Sequence, residues 1–237
     1  MADDSVVKVP ARSASDLRVR TASAAVMLAV AGLALWIGGF LLDVLILGAA
    51  GVCFYELVQL ALRATPYTAL RVLLCGAGAL YIGLAALSLT AFHGVYVGAI
   101  VGLVVCTDTA AYFTGRKFGG PKIAPSISPS KTWSGLVGGM AGAALWLMLF
   151  TLVYRSLGES GPGPGSPLET MPIALAGIVG TLLAAGAQAG DFLESWLKRR
   201  AGVKDSSNLI PGHGGVFDRI DGLLPVAILA QFLMAVA

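Results

Sequence analysis

The sequence predicts an all-α fold, a polytopic bundle of about seven transmembrane helices with its N-terminus in the cytoplasm. Of the 237 residues, 57% are hydrophobic and only 12% are charged, whereas a soluble domain carries about 25% charged residues. The long apolar runs are rich in Leu, Ala, Val and Gly, and they lack the alternating pattern of barrel strands. Because backbone groups in lipid must be satisfied internally, such runs form helices.

Seven apolar segments have about the twenty residues that a spanning helix needs. They lie at about residues 21–38, 40–62, 69–90, 95–115, 132–154, 171–194 and 217–237. Residues 1–20 are expected to form a cytoplasmic tail, and residues 21–237 a single transmembrane domain. The loop at 158–170 is rich in Gly and Pro and is expected to be a flexible linker.

The distribution of basic residues predicts the orientation. With the N-terminus in the cytoplasm, fifteen of the sixteen lysines and arginines lie at cytoplasmic ends, and Arg155 is the exception. This bias also supports seven spans, because losing one span would invert every later loop. The net charge of +3 is too small to indicate a nucleic-acid partner.

The cysteines give no sign of metal or redox chemistry. Cys53, Cys75 and Cys106 all lie within apolar runs and have no CxxC spacing. We therefore expect them to be buried small hydrophobic residues.

The first segment with residues capable of chemistry surrounds Asp108, inside the predicted fourth span. This acid shares one helical stripe with Ala111, Tyr112 and Gly115. Acids inside a membrane tend to line cavities, which favours a functional role and a place among the metal ligands. The alternative is a carboxylate that packs helices together through a neighbouring hydroxyl.

The second segment surrounds Lys131, where the fifth span is predicted to begin. Its neighbours are the hydroxyl residues Ser128, Ser130 and Thr132. The N–H groups of a helix N-terminus together with a lysine make an anion site. An ordinary Ser/Thr helix cap beside a positive-inside lysine explains the same residues.

The third segment, residues 190–222, holds five acids and five bases. Four of its side chains share one helical face where the sixth span ends: Asp191, Glu194, Ser195 and Lys198. An i,i+4 pair of Glu194 with Lys198 and a cytoplasmic cluster of bases would explain most of this pattern. That interpretation leaves Asp191 unexplained.

A glycine-rich turn follows at residues 211–215, and its glycines allow a backbone to approach a ligand closely. His213 in this turn is a general base, a phosphate ligand or a residue that shapes the turn. Asp218 and Asp221 then lie one turn apart where the seventh span begins.

The acids predict a magnesium site. Asp191 and Asp218 lie at matching depth on consecutive antiparallel spans, which can bring them together across the bundle. Mg²⁺ prefers carboxylate oxygens and leaves positions open for substrate phosphates. Together with the nearby bases, such a site indicates phosphoryl or nucleotidyl transfer at the lipid–water boundary.

The spacing of these motifs resembles the signature of the CDP-diglyceride synthetases, also called phosphatidate cytidylyltransferases. The matching string is Ser195-x-x-Lys198-Arg199, Lys204-Asp205, Pro211-x-His213-Gly214-Gly215 and Asp218-Arg219-x-Asp221. The two upstream segments resemble motifs of the same family, so the resemblance by motif covers about residues 100–225.

This resemblance implies that CTP and phosphatidic acid react, with Mg²⁺, to give CDP-diacylglycerol and pyrophosphate. It implies a catalytic set of Asp191, Asp218, Lys198 and Asp221, with metal bound by Asp191, Asp218 and Asp108. It implies that substrates are bound by Ser195, Lys131, Arg219, His213, Gly214, Gly215 and Lys204. It further implies a bacterial plasma (inner) membrane location, an active site on the cytoplasmic side and a possible homodimer.

Two other functions fit parts of the sequence. A membrane lipid kinase would use CTP or another nucleotide to phosphorylate a polyprenol or similar alcohol, and it would need a base for the neutral hydroxyl. A cation transporter would use Asp108, Asp191 and Asp218 as a translocation path. A transporter has no evident need for basic residues and a glycine turn confined to one face.

Overall fold

A computed structural model describes residues 14–157 and 167–236. Most of the predicted cytoplasmic tail and most of the predicted linker at 158–170 lie outside these described residues. Within them, the chain is a helical bundle with one small two-stranded sheet. The predicted all-α membrane bundle is therefore confirmed.

Nine helices and two strands follow one another in the described residues. They are α1 (Ala14–Ile37), α2 (Gly39–Ala64), α3 (Thr68–Ala91), α4 (Gly94–Phe118), β1 (Lys122–Ala124), β2 (Ser128–Thr132), α5 (Trp133–Ser156), α6 (Pro167–Thr170), α7 (Ile173–Arg200), α8 (Phe217–Ile220) and α9 (Leu223–Val236). Six of them, α1 to α5 and α7, are long and apolar enough to cross a membrane. The chain is an integral membrane protein.

The predicted seventh span is divided in the structure. Its residues form α8 and α9, which are separated at Asp221 and Gly222. The Asp221 carboxylate accepts a hydrogen bond from the Gly222 N–H at 2.8 Å. With 14 residues, α9 is about 21 Å long, which is shorter than the hydrocarbon core of a bilayer. The count of seven spans and the orientation stay predictions.

A β-hairpin joins α4 to α5, and the sequence analysis did not predict it. β1 and β2 pair in antiparallel fashion, with Lys122 opposite Thr132. Thr132 ends the hairpin and caps α5, since its hydroxyl accepts a hydrogen bond from the Gly135 N–H at 3.1 Å. The cap interpretation of this hydroxyl therefore holds, and the hairpin places Lys131 two residues before the helix.

The core of the bundle lies where α4, α5, α7 and α9 meet. Its buried residues include Leu103, Ala143, Ala184 and Val226. Cys53 is also fully buried, while Cys75 and Cys106 are partly buried and all three are free thiols. This packing fixes α7 between α5 and α9, and α7 carries the acids of the third segment.

Candidate functional site

A cavity of about 540 Å³, lined by charged as well as apolar residues, opens beside the C-terminal halves of α4 and α7. The predicted stripe on α4 lines it with Asp108 and Tyr112, and α7 contributes Asp191. Three basic residues also line it: Arg116, Lys122 and Lys131. The cavity therefore brings the first two sequence segments together with the third.

Lys131 lies in close ionic contact with the Asp191 carboxylate. Its ammonium group also lies over the Phe192 ring, 4.4 Å from the ring centre. The nitrogen is buried and makes no aligned hydrogen bond within the described residues. The structure thus places a lysine with unused hydrogen-bonding capacity at the cavity wall, next to a carboxylate.

Three carboxylates converge beside this wall. One oxygen each from Asp191, Glu194 and Asp221 lies within 4.8 Å of the other two. Glu194 is only 1% exposed, and its Oε1 atom has no hydrogen-bond partner in the described part of the chain. A buried acceptor without a donor is costly, and a cation shared by the three carboxylates would satisfy it.

The electrostatics of this group also favour a cation. Burial, together with the negative charges of Asp191 and Asp108, raises the pKa of Asp221 to about 7. The hydrogen bond from the Gly222 N–H lowers this pKa but does not offset the rise. Carboxylates that crowd one another in this way ionise together when a divalent ion balances them.

Asp218 lies outside this group of three and is held by a different set of donors. Its Oδ2 atom accepts hydrogen bonds from Ser206 N at 2.9 Å, Ser206 Oγ at 2.9 Å and Gly215 N at 2.8 Å. Burial opposes its ionisation, but contacts with Glu194 and Lys198 and the two backbone N–H groups outweigh burial and hold the pKa of Asp218 well below its ordinary value.

The carboxylates that the structure groups with Asp191 are those of Glu194 and Asp221, and the expected pairing of Asp191 with Asp218 at a metal stays a prediction. Asp221 takes the place beside Asp191, because it ends the short helix α8 at the point where the chain meets α7. Asp218 lies one turn earlier and points into the loop at 206–215.

Lys198 connects the two sets of acids. Its Nζ atom lies 2.5 Å from Glu194 Oε2 and 2.7 Å from Asp218 Oδ1. Ser195, on the same face of α7, donates a hydrogen bond to Asp191 Oδ1 at 3.3 Å. The predicted stripe on α7 thus contains two polar pairs, Ser195 with Asp191 and Lys198 with Glu194.

The glycine-rich turn lies against the N-terminal half of α1. Ser23 Oγ lies 2.8 Å from His213 Nδ1 and donates to the Pro211 carbonyl oxygen at 2.9 Å. Arg219 donates two hydrogen bonds to the His213 carbonyl oxygen, at 3.2 and 2.7 Å. Gly214 has a φ of 82°, a conformation that favours glycine.

Two predicted substrate-binding residues, Lys204 and Gly215, do not line the cavity. Lys204 is exposed in the loop after α7. Gly215 is buried and donates its N–H to Asp218. Their roles, like those of His213 and Arg219, stay predictions.

The sequence analysis missed the role of Glu56, an acid in the middle of α2. Its side chain is 1% exposed and accepts hydrogen bonds from Ser206, Ser207, Val216 and Phe217. The rule that an acid inside a membrane span is functional by default would have found it. Glu194 was noticed on its helical face but was not among the predicted metal ligands.

Residues 72–237 match the model of the cytidylyltransferase family. The chain is 42% identical over 166 residues to a phosphatidate cytidylyltransferase of Brucella suis, across 68% of this chain and 56% of that protein. A protein of the same name from Thermotoga maritima is 40% identical over 144 residues, across 59% of this chain and 50% of that protein. Another from Bacillus subtilis is 39% identical over 129 residues, across 54% of this chain and 43% of that protein. The chain spans about half the length of the curated relatives it matches.

Proposed function

Because the chain belongs to the cytidylyltransferase family, we propose that it condenses CTP with phosphatidate to give CDP-diacylglycerol and pyrophosphate. One observation carries the proposal beyond family membership. A cavity lined by three basic residues is also lined by Asp191, which belongs to the group of three converging carboxylates. Nucleotidyl transfer needs both, because the bases neutralise phosphate charge and the acids hold a metal ion.

The metal would be Mg²⁺, held by Asp191, Glu194 and Asp221. The unpartnered Glu194 oxygen and the raised pKa of Asp221 support this choice. Mg²⁺ bound there would neutralise and align the nucleotide phosphates. Asp108 lines the same cavity and stays a candidate ligand, whereas Asp218 would position Lys198 and the loop at 206–215.

The basic residues of the cavity would bind the triphosphate. Lys131 has unused donor capacity at the wall, and Lys122 and Arg116 stand on neighbouring elements of the same cavity. A phosphate that enters would draw the Lys131 ammonium away from Asp191 and release that carboxylate for the metal. Ser195, beside Asp191, would then donate to a phosphate oxygen.

The reaction would be an in-line displacement at the α-phosphorus of CTP. A phosphate oxygen of phosphatidate forms the new P–O bond, and the bond between the α-phosphorus and the bridging oxygen of the pyrophosphate breaks. The attacking oxygen is already ionised at neutral pH, so no strong base is required. His213, bonded to Ser23 at 2.8 Å, would therefore support the turn rather than abstract a proton.

The proposed location is the inner membrane of a bacterium, with the cavity open to the cytoplasm. The bias of fifteen of sixteen basic residues supports this orientation, and the relatives named above are bacterial. Such an arrangement suits a water-soluble nucleotide that meets a lipid substrate at the membrane surface. A homodimer stays a prediction.

The position of a radioactive label tests the reaction. The full chain in detergent is mixed with Mg²⁺, phosphatidate and CTP labelled in either its α- or its γ-phosphate. We expect label in the lipid fraction from α-labelled CTP alone. Label from γ-labelled CTP would indicate phosphoryl transfer to the lipid, and no transfer from either nucleotide would contradict the proposed reaction.

A further inference from the structure

Glu56 joins α2 to the loop that carries the signature residues. Oε1 accepts hydrogen bonds from Ser207 Oγ at 2.6 Å and Val216 N at 3.1 Å, and Oε2 accepts one from Phe217 N at 2.7 Å. Oε2 also lies 3.1 Å from Ser206 Oγ, whose one proton is shared with Asp218. Four donor groups from one loop thus converge on a single buried side chain. This acid and all of α2 precede residue 72, where the family match begins.

The loop packs onto this carboxylate without spare room. A β-carbon on residue 215 would lie 2.5 Å from Glu56 Oε1 and 2.0 Å from Ser206 Oγ. Glycine at 215 is therefore required by the approach of the loop to Glu56. The glycine-rich turn is shaped by a residue that lies about 160 positions earlier in the chain.

A hydrogen-bonded chain leads from Glu56 to the converging carboxylates. Ser206 Oγ lies within hydrogen-bond distance of both Glu56 and Asp218. Asp218 Oδ1 in turn lies 2.7 Å from Lys198 Nζ, and that nitrogen lies 2.5 Å from Glu194 Oε2. The Val216 and Phe217 N–H groups that donate to Glu56 lie at the N-terminus of α8, and Asp221 is the C-terminal cap of that helix.

The geometry points to Glu56 as a positioning residue that sets Asp218 and Asp221 against α7 and thereby forms the metal site. The inference rests on the proposed function, because that function supplies the metal. Glu56 lies at the far end of the hydrogen-bonded chain and acts on the site through the loop. This positioning role requires no contact between Glu56 and a substrate.

Glutamine cannot replace this carboxylate, although it has the same size. Val216 donates to one oxygen and Phe217 to the other, and a backbone N–H cannot become an acceptor. In either orientation, the NH₂ group of a glutamine would face one of these N–H groups. Glu56→Gln should therefore detach the start of α8 from α2.

Hydrogen exchange and magnesium binding test the inference without either substrate. The full chain in detergent is compared with Glu56→Gln and with Asp43→Asn, an acid-to-amide change in the same helix. Within the described residues, the Asp43 side chain makes no hydrogen bond or ion pair. In Glu56→Gln we expect amide exchange at residues 206–217 to be about tenfold faster or more. We also expect the Mg²⁺ concentration that gives half of the thermal stabilisation to rise about tenfold.

Two results would overturn the inference: wild-type exchange in Glu56→Gln, or faster exchange with an unchanged Mg²⁺ response. If Glu56→Gln does not fold, Ser206→Ala removes the hydroxyl that lies between Glu56 and Asp218. It keeps the Val216 and Phe217 hydrogen bonds to Glu56 and the N–H of residue 206 that donates to Asp218. It should weaken the Mg²⁺ response and leave exchange at those two amides as in the wild type. A wild-type chain that responds to Mg²⁺ but transfers no label contradicts the proposed reaction and leaves the role of Glu56 intact.

Discussion

Gly190 in α7 lies directly against the backbone of Asp221. A β-carbon on residue 190 would lie 2.3 Å from the Asp221 carbonyl oxygen and 2.8 Å from Pro225 Cγ. Contacts this short cannot be relieved by turning a side chain, because the oxygen belongs to the backbone. The missing side chain therefore allows Asp221 to reach the face of α7 that carries Asp191.

Gly190→Ala should accordingly separate the carboxylates. The added methyl group must push the start of α9 away from α7, and a displacement of about 1 Å in such a site costs about 100-fold in turnover. The control is Gly98→Ala in α4, where no atom lies within 4 Å of the added β-carbon. Transfer of α-labelled CTP to phosphatidate measures both variants, and equal activities would show that the close contact is dispensable.

Asp221→Asn should remove one proposed metal ligand while preserving the shape of the site. We expect the loss of about 100-fold or more in turnover, since an ion that no longer binds supplies none of its charge stabilisation. Stabilisation of the chain by Mg²⁺ in thermal unfolding should disappear as well. The control is Asp43→Asn, and an undiminished Mg²⁺ response in Asp221→Asn would exclude Asp221 from the metal site.

Asp218→Asn distinguishes a positioning role from metal binding. The asparagine oxygen can still accept the N–H groups of Ser206 and Gly215, but its NH₂ group must then face the Lys198 ammonium. Turnover should fall about 100-fold or more, while membrane insertion persists and the thermal shift caused by Mg²⁺ is weakened but not lost. Loss of that shift, to the extent seen in Asp221→Asn, would instead make Asp218 a ligand, as the sequence analysis predicted.

Much of the fold follows from hydropathy alone. Lipid leaves a long apolar segment no alternative to a helix, so six long helices appear close to where the sequence predicts them. The apolar segment after residue 216 is an exception, because the carboxylate of Asp221 takes the N–H of Gly222 and the helix is divided there. The hairpin before α5 lacks an alternating apolar pattern, so it gave no strand signal in the sequence.

The residue types of the site were predictable from the sequence, but which of these residues contact one another was not. Helical spacing places Asp191 and Glu194 on one face of α7 and Asp108 on a stripe of α4. In the structure Asp108 and Asp191 line one cavity, and Glu194 lies next to Asp191 in the group of three carboxylates. Whether Asp218 or Asp221 meets Asp191 depends on where α8 ends, and that depends on tertiary contacts. Glu56 shows the same limit, since its four donors come from a loop about 150 residues later in the chain.

Lys131→Gln tests the proposed triphosphate site. The ammonium of Lys131 lies against Asp191 and over Phe192 in the cavity wall, so its loss removes a charge that would face the phosphates. We expect KM for CTP to rise about tenfold or more and KM for phosphatidate to change less. Because Asp191 loses its competing cation, half-maximal thermal stabilisation by Mg²⁺ without nucleotide should need no more Mg²⁺ than in the wild type.

The matched control for this change is Lys117→Gln, which removes a lysine from the exposed last turn of α4. That side chain lies over Phe118 at 5.6 Å and does not line the cavity, so both KM values should stay within about twofold of the wild type. A parallel rise in KM for CTP in the two variants would indicate a general effect of surface charge. An unchanged KM in Lys131→Gln would remove Lys131 from the triphosphate site and leave that role to Lys122 and Arg116.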